Sequence, residues 1–367
     1  MKRCVSNLYC LRMVWLCARI HNDYKSSYST RIISGDVMNI KKKIFAVFAI
    51  CLLVLLNYSI IQVVNEGMAE NGMSGLIIKK IILLVGFDLV VLLYILKSKD
   101  LLSIPGELIK NRKLLFSLSK NDFKTKFAGS YLGIIWAFVQ PIVTVFLYWF
   151  VFEKAFHARP QANMAAPYVL WLISGLVPWF YFSEAWSSGA NSLIEYSYLV
   201  KKVVFKISIL PTVKVISGLF VHFFFVAFTI VLFAFYGFYP DLYTLQIIYY
   251  LFCMIVLVMA LAYFNSAIVI FFRDLSQIIN ILMQAIMWMS PIMWDFETLQ
   301  IGSFAKSILK LNPLCYVIAG YRDSVINKVW FWEKADMTLY FWVITALLFA
   351  LGTIIFRKLQ IHFADVL

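Results

Sequence analysis

Long apolar runs separated by short polar connections occupy most of the chain. A helix needs about 20 predominantly apolar residues to cross a bilayer. Eight runs approach that length, at residues 44–64, 76–96, 130–152, 168–188, 211–236, 244–271, 277–294 and 338–356. Lys79, Lys80 and Asp88 interrupt the second run. The seventh is short and ends at Ser290-Pro291, which indicates a kink or a half-buried return. The pattern predicts an all-α polytopic membrane protein.

Composition excludes a soluble protein. Of 367 residues, 62% are apolar and 14% are charged, whereas soluble domains carry about 25% charged residues. In a membrane protein the net charge of +14 belongs first to cytoplasmic loops, so a nucleic-acid partner is disfavoured. The basic segments 97–129 and 188–207 and the basic C-terminal tail predict cytoplasmic termini in a multi-pass protein of the cytoplasmic membrane.

The region before the third run divides into three parts. Residues 1–43 are expected to form a basic, poorly ordered cytoplasmic tail, in which residues 1–37 precede an alternative start at Met38. Residues 44–96 hold two spans. Segment 97–129 contains Phe116, Phe123 and Phe127 on one helical face beside Lys124, which predicts an amphipathic helix on the cytoplasmic surface. The alternative for this segment is a plain linker.

Two polar and aromatic stripes lie inside predicted spans. One contains Trp136, Gln140 and Thr144, and the other contains Asn280, Gln284, Met287 and Trp288. Polar amides are costly against lipid, so both stripes are expected to face protein or a water-filled lumen. If they face a lumen, the stripes would line a translocation path. Packing between helices of a dimer is the alternative.

Sequence motifs for nucleotide binding and for metal binding are absent from the sequence. It contains no G-x-x-x-x-G-K-[ST] and no H-E-x-x-H, and its Cys and His residues form no metal-ligand spacing. We therefore expect no catalytic residue, metal or cofactor in this chain. His222 lies within a span, where an interhelical hydrogen bond is a simpler expectation than a proton relay.

Six short motifs give the chain a specific resemblance. They lie at 121–141 (NDFKTKFAGSYLGIIWAFVQP), 175–182 (GLVPWFYF), 199–205 (LVKKVVF), 271–274 (FFRD), 290–294 (SPIMW) and 312–323 (NPLCYVIAGYRD). In this order they resemble the permease subunits of ABC transporters that export cell-surface polysaccharides, a family that includes O-antigen and wall teichoic acid exporters. The resemblance covers residues 107–367. The run from Lys206 to Pro211 departs from it, and the two spans before residue 97 are additional.

The resemblance implies a complete transporter around this chain. Residues 130–367 would form a six-span permease core with an outer re-entrant segment at 295–337. The core would form a homodimer on two copies of a separate cytoplasmic ABC ATPase, which would bind ATP and Mg. The substrate would be a polymer on polyprenyl pyrophosphate lipid, and Tyr321-Arg-Asp323 with the tail His362-Phe-Ala-Asp365 resembles the teichoic acid branch more closely.

The resemblance also implies roles for particular residues. Glu195, Lys201 and Lys202 would couple the inner loop to the ATPase, or would lie in a solvated turn. Arg322 would contact an anion on the outer side, or would form an ion pair with Asp323. Two other functions remain open, an exporter of a drug or small lipid and a polyprenyl-linked membrane glycosyltransferase. The second is disfavoured because no carboxylate pair converges.

Overall fold

A computed structural model describes residues 73–126, 129–157, 166–201, 206–296 and 301–367. All regular elements within these ranges are helical, which confirms the predicted all-α class. The predicted tail at 1–43 and the first predicted span at 44–64 lie outside the described residues. The described residues belong to one unit, Ile61–Leu367.

Twelve α-helices follow one another along the described residues. They are α1 (Met73–Lys110), α2 (Arg112–Thr125), α3 (Trp136–Trp149), α4 (Tyr168–Glu195), α5 (Ser197–Val200), α6 (Leu210–Phe235), α7 (Gln246–Val269), α8 (Leu275–Met289), α9 (Ser303–Lys310), α10 (Pro313–Arg322), α11 (Ala335–Leu359) and α12 (Phe363–Val366). Short 3-10 turns precede α3, α6, α7, α11 and α12, and wider π turns follow α3 and α10.

Four helical stretches in the described part are long and apolar enough to cross a membrane. They are Gly133–Ala155, Ile207–Phe235, Leu242–Val269 and Phe331–Val366. Helix α4 has the length, with 28 residues, but its Ser, Asn and aromatic residues make it less apolar. Helix α8 has 15 residues, fewer than the about 20 a span needs. It ends before Ser290, whose backbone is extended, where Ser290-Pro291 predicted a break.

Helix α4 lies in the middle of the described bundle. It packs against α6, α7, α8 and α10, and α11 packs against α7 and α1. Small residues allow the closest approaches, because a Cβ on Gly189 would stand 2.7 Å from the Cβ of Ala262. A Cβ on Gly352 would stand 2.7 Å from the carbonyl oxygen of Ala260. The α4–α7 and α7–α11 contacts therefore require a residue without a side chain at positions 189 and 352.

The segment predicted as an interface helix contains two helical pieces. Its first part belongs to α1, which bends where Lys97 has a non-helical backbone (φ −126°, ψ 23°). Its second part is α2, which follows Asn111 and packs on α6. The side chains of α2 that are buried are Leu115, Ser119 and Asp122.

Candidate functional site

A cavity of about 660 Å³ lies between α2, α3, α4 and α6. The lining includes Glu195 and Tyr196 at the end of α4 and Lys214 near the start of α6, so the cavity reaches the described start of the α4–α6 connection. We call this the basic end of the bundle, and Lys126, Lys201 and Arg357 belong to it. The polar side chains of the cavity lining include Asp122, Lys126, Gln140, Thr144, Glu184, Glu195 and Lys214. Its aromatic rings include Phe123, Trp136, Phe180, Tyr181, Tyr196 and Phe225.

Lys214 forms the centre of a charged cluster at this cavity. Its Nζ lies 2.7 Å from Asp122 Oδ1 and 2.6 Å from Glu195 Oε2. The hydroxyl of Tyr196 donates to Asp122 Oδ1 at 2.5 Å, and Lys214 Nζ stands 5.0 Å from the centre of the Tyr196 ring. The side chains of Lys214 and Asp122 are only 12% and 9% exposed. Such burial is tolerated because each charge faces an opposite one.

Tyr196 keeps its proton in this cluster. Burial raises the pKa of the Tyr196 hydroxyl, and the neighbouring carboxylate of Asp122 raises it further. The hydroxyl therefore acts as a donor to Asp122. It adds no negative charge to the cluster, so the positive charge of Lys214 faces the two carboxylates of Asp122 and Glu195.

A second ion pair lines the same cavity. Lys126, directly after α2, contacts the carboxylate of Glu184 in α4. Ser188 donates to the same carboxylate at 3.1 Å. Both charged side chains are 42% exposed, so water screens the pair and its contribution to stability is small. The charges of the cavity are thus largely paired within the lining.

Another polar cluster lies at the basic end, outside the cavity. The hydroxyl of Ser208 donates to the carboxylate of Glu107 in α1. The Arg357 guanidinium of α11 lies 2.9 Å from that carboxylate and donates from Nε to Ser103 Oγ at 3.0 Å. Burial would raise the pKa of Glu107, but Ser208 and Arg357 outweigh it and hold the pKa below its usual range. Glu107 is therefore an anion at neutral pH.

The structure separates the two predicted path stripes. Trp136, Gln140 and Thr144 of α3 line the cavity, with Trp136 46% exposed. The α8 residues lie elsewhere, and the lining of this cavity does not include them. Asn280, Gln284 and Trp288 are exposed, and Met287 is half-buried. The path role of both stripes stays a prediction.

The residues predicted to couple to an ATPase occupy the α4–α6 connection. Glu195 ends α4 and pairs with Lys214, while Lys201 is exposed just after α5. Lys202 lies outside the described residues. Their coupling role stays a prediction, although Glu195 already has a partner inside the chain.

The aromatic residues predicted for the interface helix have different surroundings. Phe123 is half-buried, with its ring centre 5.3 Å from that of Phe220 in α6. Phe116 is 57% exposed and its ring centre lies 6.2 Å from the same ring. Lys124 is exposed and Phe127 lies outside the described residues.

The sequence matches a family of membrane transport proteins. The family described as ABC-2 type transporter matches residues 113–326, which is more than half of the chain. The chain belongs to the ABC-2 type transporter family. It is 28% identical over 216 residues to the O-antigen export system permease protein RfbA of Myxococcus xanthus, covering 59% of this chain and 81% of that protein.

Two proteins of Klebsiella pneumoniae carry the same description. Each is 28% identical to this chain over 257 residues, which covers 69% of this chain and 95% of the relative. The ABC-2 chain is therefore a multi-pass membrane transport subunit, in agreement with its apolar helices.

Arg322 of this ABC-2 chain lies in a packed environment. It is 6% exposed, and its guanidinium carbon stands 3.5 Å from the centre of the Trp171 ring. Its Nη2 donates to the carbonyl oxygen of Ile292 at 2.9 Å. Asp323 instead pairs with Lys334 at 2.5 Å. An anion contact at Arg322 stays a prediction, and it would require this packing to open.

His222 connects α6 to α10. Its Nε2 lies 2.8 Å from the hydroxyl of Tyr321, and both side chains are buried. This contact is the interhelical hydrogen bond that the position of His222 in a span suggested.

Sequence reasoning missed the Lys214 and Glu107 clusters. Asp122 and Lys214 are 92 positions apart, and Ser208 and Glu107 are 101 positions apart. The available signal was a lone lysine near the start of an apolar run, since an ionisable residue there needs a partner. The pattern alone does not identify that partner.

Proposed function

We propose that this chain is the membrane-spanning subunit of an ATP-driven exporter in the bacterial cytoplasmic membrane. Its substrate would be a polysaccharide or teichoic acid linked to polyprenyl pyrophosphate. The observation that carries the proposal is the family match together with relatives described as O-antigen export permeases, which align over 95% of their length. The aromatic and hydroxyl-rich cavity supports a sugar-bearing substrate.

The exposed amides support a homodimer with the path near its interface. Asn280 and Gln284 of α8 are exposed in the single chain, and both lie on an apolar helix. An amide that faces lipid loses its hydrogen bonds with water. A second copy, or a lumen between two copies, would give these amides polar surroundings.

The basic end would face the cytoplasm under the positive-inside rule. Lys126, Lys201 and Arg357 lie there, and Lys201 follows α5 at the described start of the α4–α6 connection. Two copies of an ABC ATPase would dock against this end and bind ATP and Mg. Arg322 would then lie toward the outer side, where a transient opening would let it contact a phosphate of the substrate.

Purification with and without the partner ATPase tests the subunit assignment. The chain alone is expected to hydrolyse no ATP, and hydrolysis is expected when the ATPase is added. An ATPase whose P-loop lysine has been replaced is the control for contaminants. Sustained hydrolysis by the chain alone, with that control clean, would contradict the assignment.

Mass spectrometry of lipid that co-purifies with the complex tests the substrate class. A polyprenyl pyrophosphate that carries several sugars or polyol phosphates is expected. A small lipid or a drug-like molecule in stoichiometric amount would replace the polymer hypothesis with that of a small-molecule exporter.

A further inference from the structure

The α4–α6 connection is fastened at both of its described ends. At its start, Glu195 and Tyr196 reach Lys214 and Asp122. At its end, Ser208 reaches Glu107. Asp122 lies in α2 and Glu107 in α1, so the segment that precedes the first core span holds the connection at two points.

Apolar packing accompanies both polar contacts. At the end of the connection, Leu115 of α2 packs with Ile209 and with Val213 of α6, both of which are fully buried. Nearer its start, Val200 of α5 belongs to one buried cluster with Ile104 of α1. The connection is thus held by close packing as well as by charge, and such contacts are bistable rather than continuously deformable.

Lys214 is suited to hold the start of the connection. It is the first ionisable residue of α6, it is largely buried, and it contacts α2 and the end of α4 at once. A single cation shared by two carboxylates fixes three helices relative to one another. Loss of the cation would leave two carboxylates close together, which repel.

We propose that Lys214, Asp122 and Glu107 are positioning residues that tie the α4–α6 connection to α1 and α2. Movement that the ATPase imposes on the connection would pass through them to the helices around the cavity. This inference rests on the proposed function, because it assigns a role in coupling. It also gives α1, which precedes the matched region 113–326, a part in the transport cycle.

The test uses the complex of this chain with its ATPase in proteoliposomes. Polymer transported per ATP hydrolysed is measured for Lys214→Met, for the conservative Lys214→Arg, and for Lys120→Met as matched control. Lys120 lies exposed on α2, so its loss removes the same charge without touching the cluster. Lys214→Met is expected to lower the ratio about tenfold. Lys214→Arg is expected to restore most of it, and Lys120→Met to leave it unchanged.

Milder variants keep the test valid if Lys214→Met fails to fold. Tyr196→Phe and Ser208→Ala each remove one hydroxyl and no charge, and each is expected to lower the ratio several-fold while ATPase binding stays within about twofold of the unchanged protein. A purely structural role predicts a different result, in which transport and ATPase binding fall together with the melting temperature. An unchanged ratio in folded Lys214→Met, or in both hydroxyl variants, would overturn the proposal.

Hydrogen exchange separates this inference from the proposed function. In the purified permease, Tyr196→Phe is expected to speed amide exchange at 196–201, with no change for Lys120→Met. If the wild-type complex transports no polymer, the proposed function fails. The exchange result still decides whether these residues hold the connection. Unchanged exchange in Tyr196→Phe would contradict the positioning role directly.

Discussion

Helices α3 and α4 are neighbours, yet they differ in burial. Helix α4 has buried side chains along most of its length, including Trp171, Leu172 and Ile173. In the stretch Gly133–Ala155, which contains α3, only 6% of the residues in its most apolar part are buried. Leu172 is fully buried, whereas Leu147 of α3 is 52% exposed. Apolar composition therefore does not decide which helix forms the core.

The difference follows from what each helix has to contact. Helix α4 packs against α3, α6, α7, α8 and α10, and small residues such as Gly175 and Gly189 allow close packing. Helix α3 has one packed side and leaves Trp136 and Phe146 exposed. The free side of α3 is available to lipid or to a second copy, which is where the proposed dimer would form.

The largest effect is expected from Leu172→Ala in α4. Removing a fully buried leucine side chain costs about 2–5 kcal/mol because a cavity remains. Leu147→Ala in α3 is the matched control, with an expected change within about 0.5 kcal/mol in the monomer, where this position is exposed. Melting temperatures in detergent compare the two variants. Equal losses would show that α3 is as tightly packed as α4, and a Leu147→Ala loss that grows with protein concentration would locate the covering surface on a second copy.

An intermediate effect is expected from Gly189→Ala in α4. The new Cβ would stand 2.7 Å from that of Ala262, so α4 and α7 must separate. Overpacking of this kind costs about 1–3 kcal/mol. Gly106→Ala in α1 is the control, because nothing lies within 4 Å of its new Cβ. Alanine is a better helix former than glycine by about 1 kcal/mol, so the control is expected to be neutral or stabilising. A drop in melting temperature of the same size in both variants would contradict the close α4–α7 contact.

The smallest effect on stability is expected on α8. Gln284→Leu and Trp288→Leu change exposed side chains, so stability should shift by no more than about 0.5 kcal/mol. Export by the complex should nevertheless fall, because the polymer loses polar and stacking contacts. Ile278→Leu, also exposed on α8, is the matched control for both measurements. Loss of export in proportion to loss of melting temperature would leave these residues as packing.

The all-α class and several element ends could be predicted from the sequence. Uninterrupted apolar runs decide the class, and Ser290-Pro291 predicted where α8 ends. The burial of α4 could not be predicted, because the apolar run 168–188 predicts a span but does not show which helices surround it. Only contacts with α6, α7 and α10 show that α4 is the core helix.

The candidate site was predictable only where residues repeat along one helix. Trp136, Gln140 and Thr144 recur every four residues, and the structure places them together on the cavity lining. The Lys214 cluster joins α2, α4 and α6, so no spacing of residues along one helix predicts it. The same holds for Arg322, whose contact with Trp171 joins α10 to α4.

ATP-dependent transport of a lipid-linked polymer into inverted membrane vesicles tests the central claim most directly. The vesicles would contain this chain with its ATPase, and the polymer that becomes protected from an added glycosidase, or from an added phosphodiesterase for a polyol phosphate polymer, would be measured. The account predicts protected polymer that accumulates with ATP and is absent with the P-loop lysine variant of the ATPase. An assembled complex that hydrolyses ATP and protects neither a lipid-linked polysaccharide nor a lipid-linked teichoic acid would contradict the account.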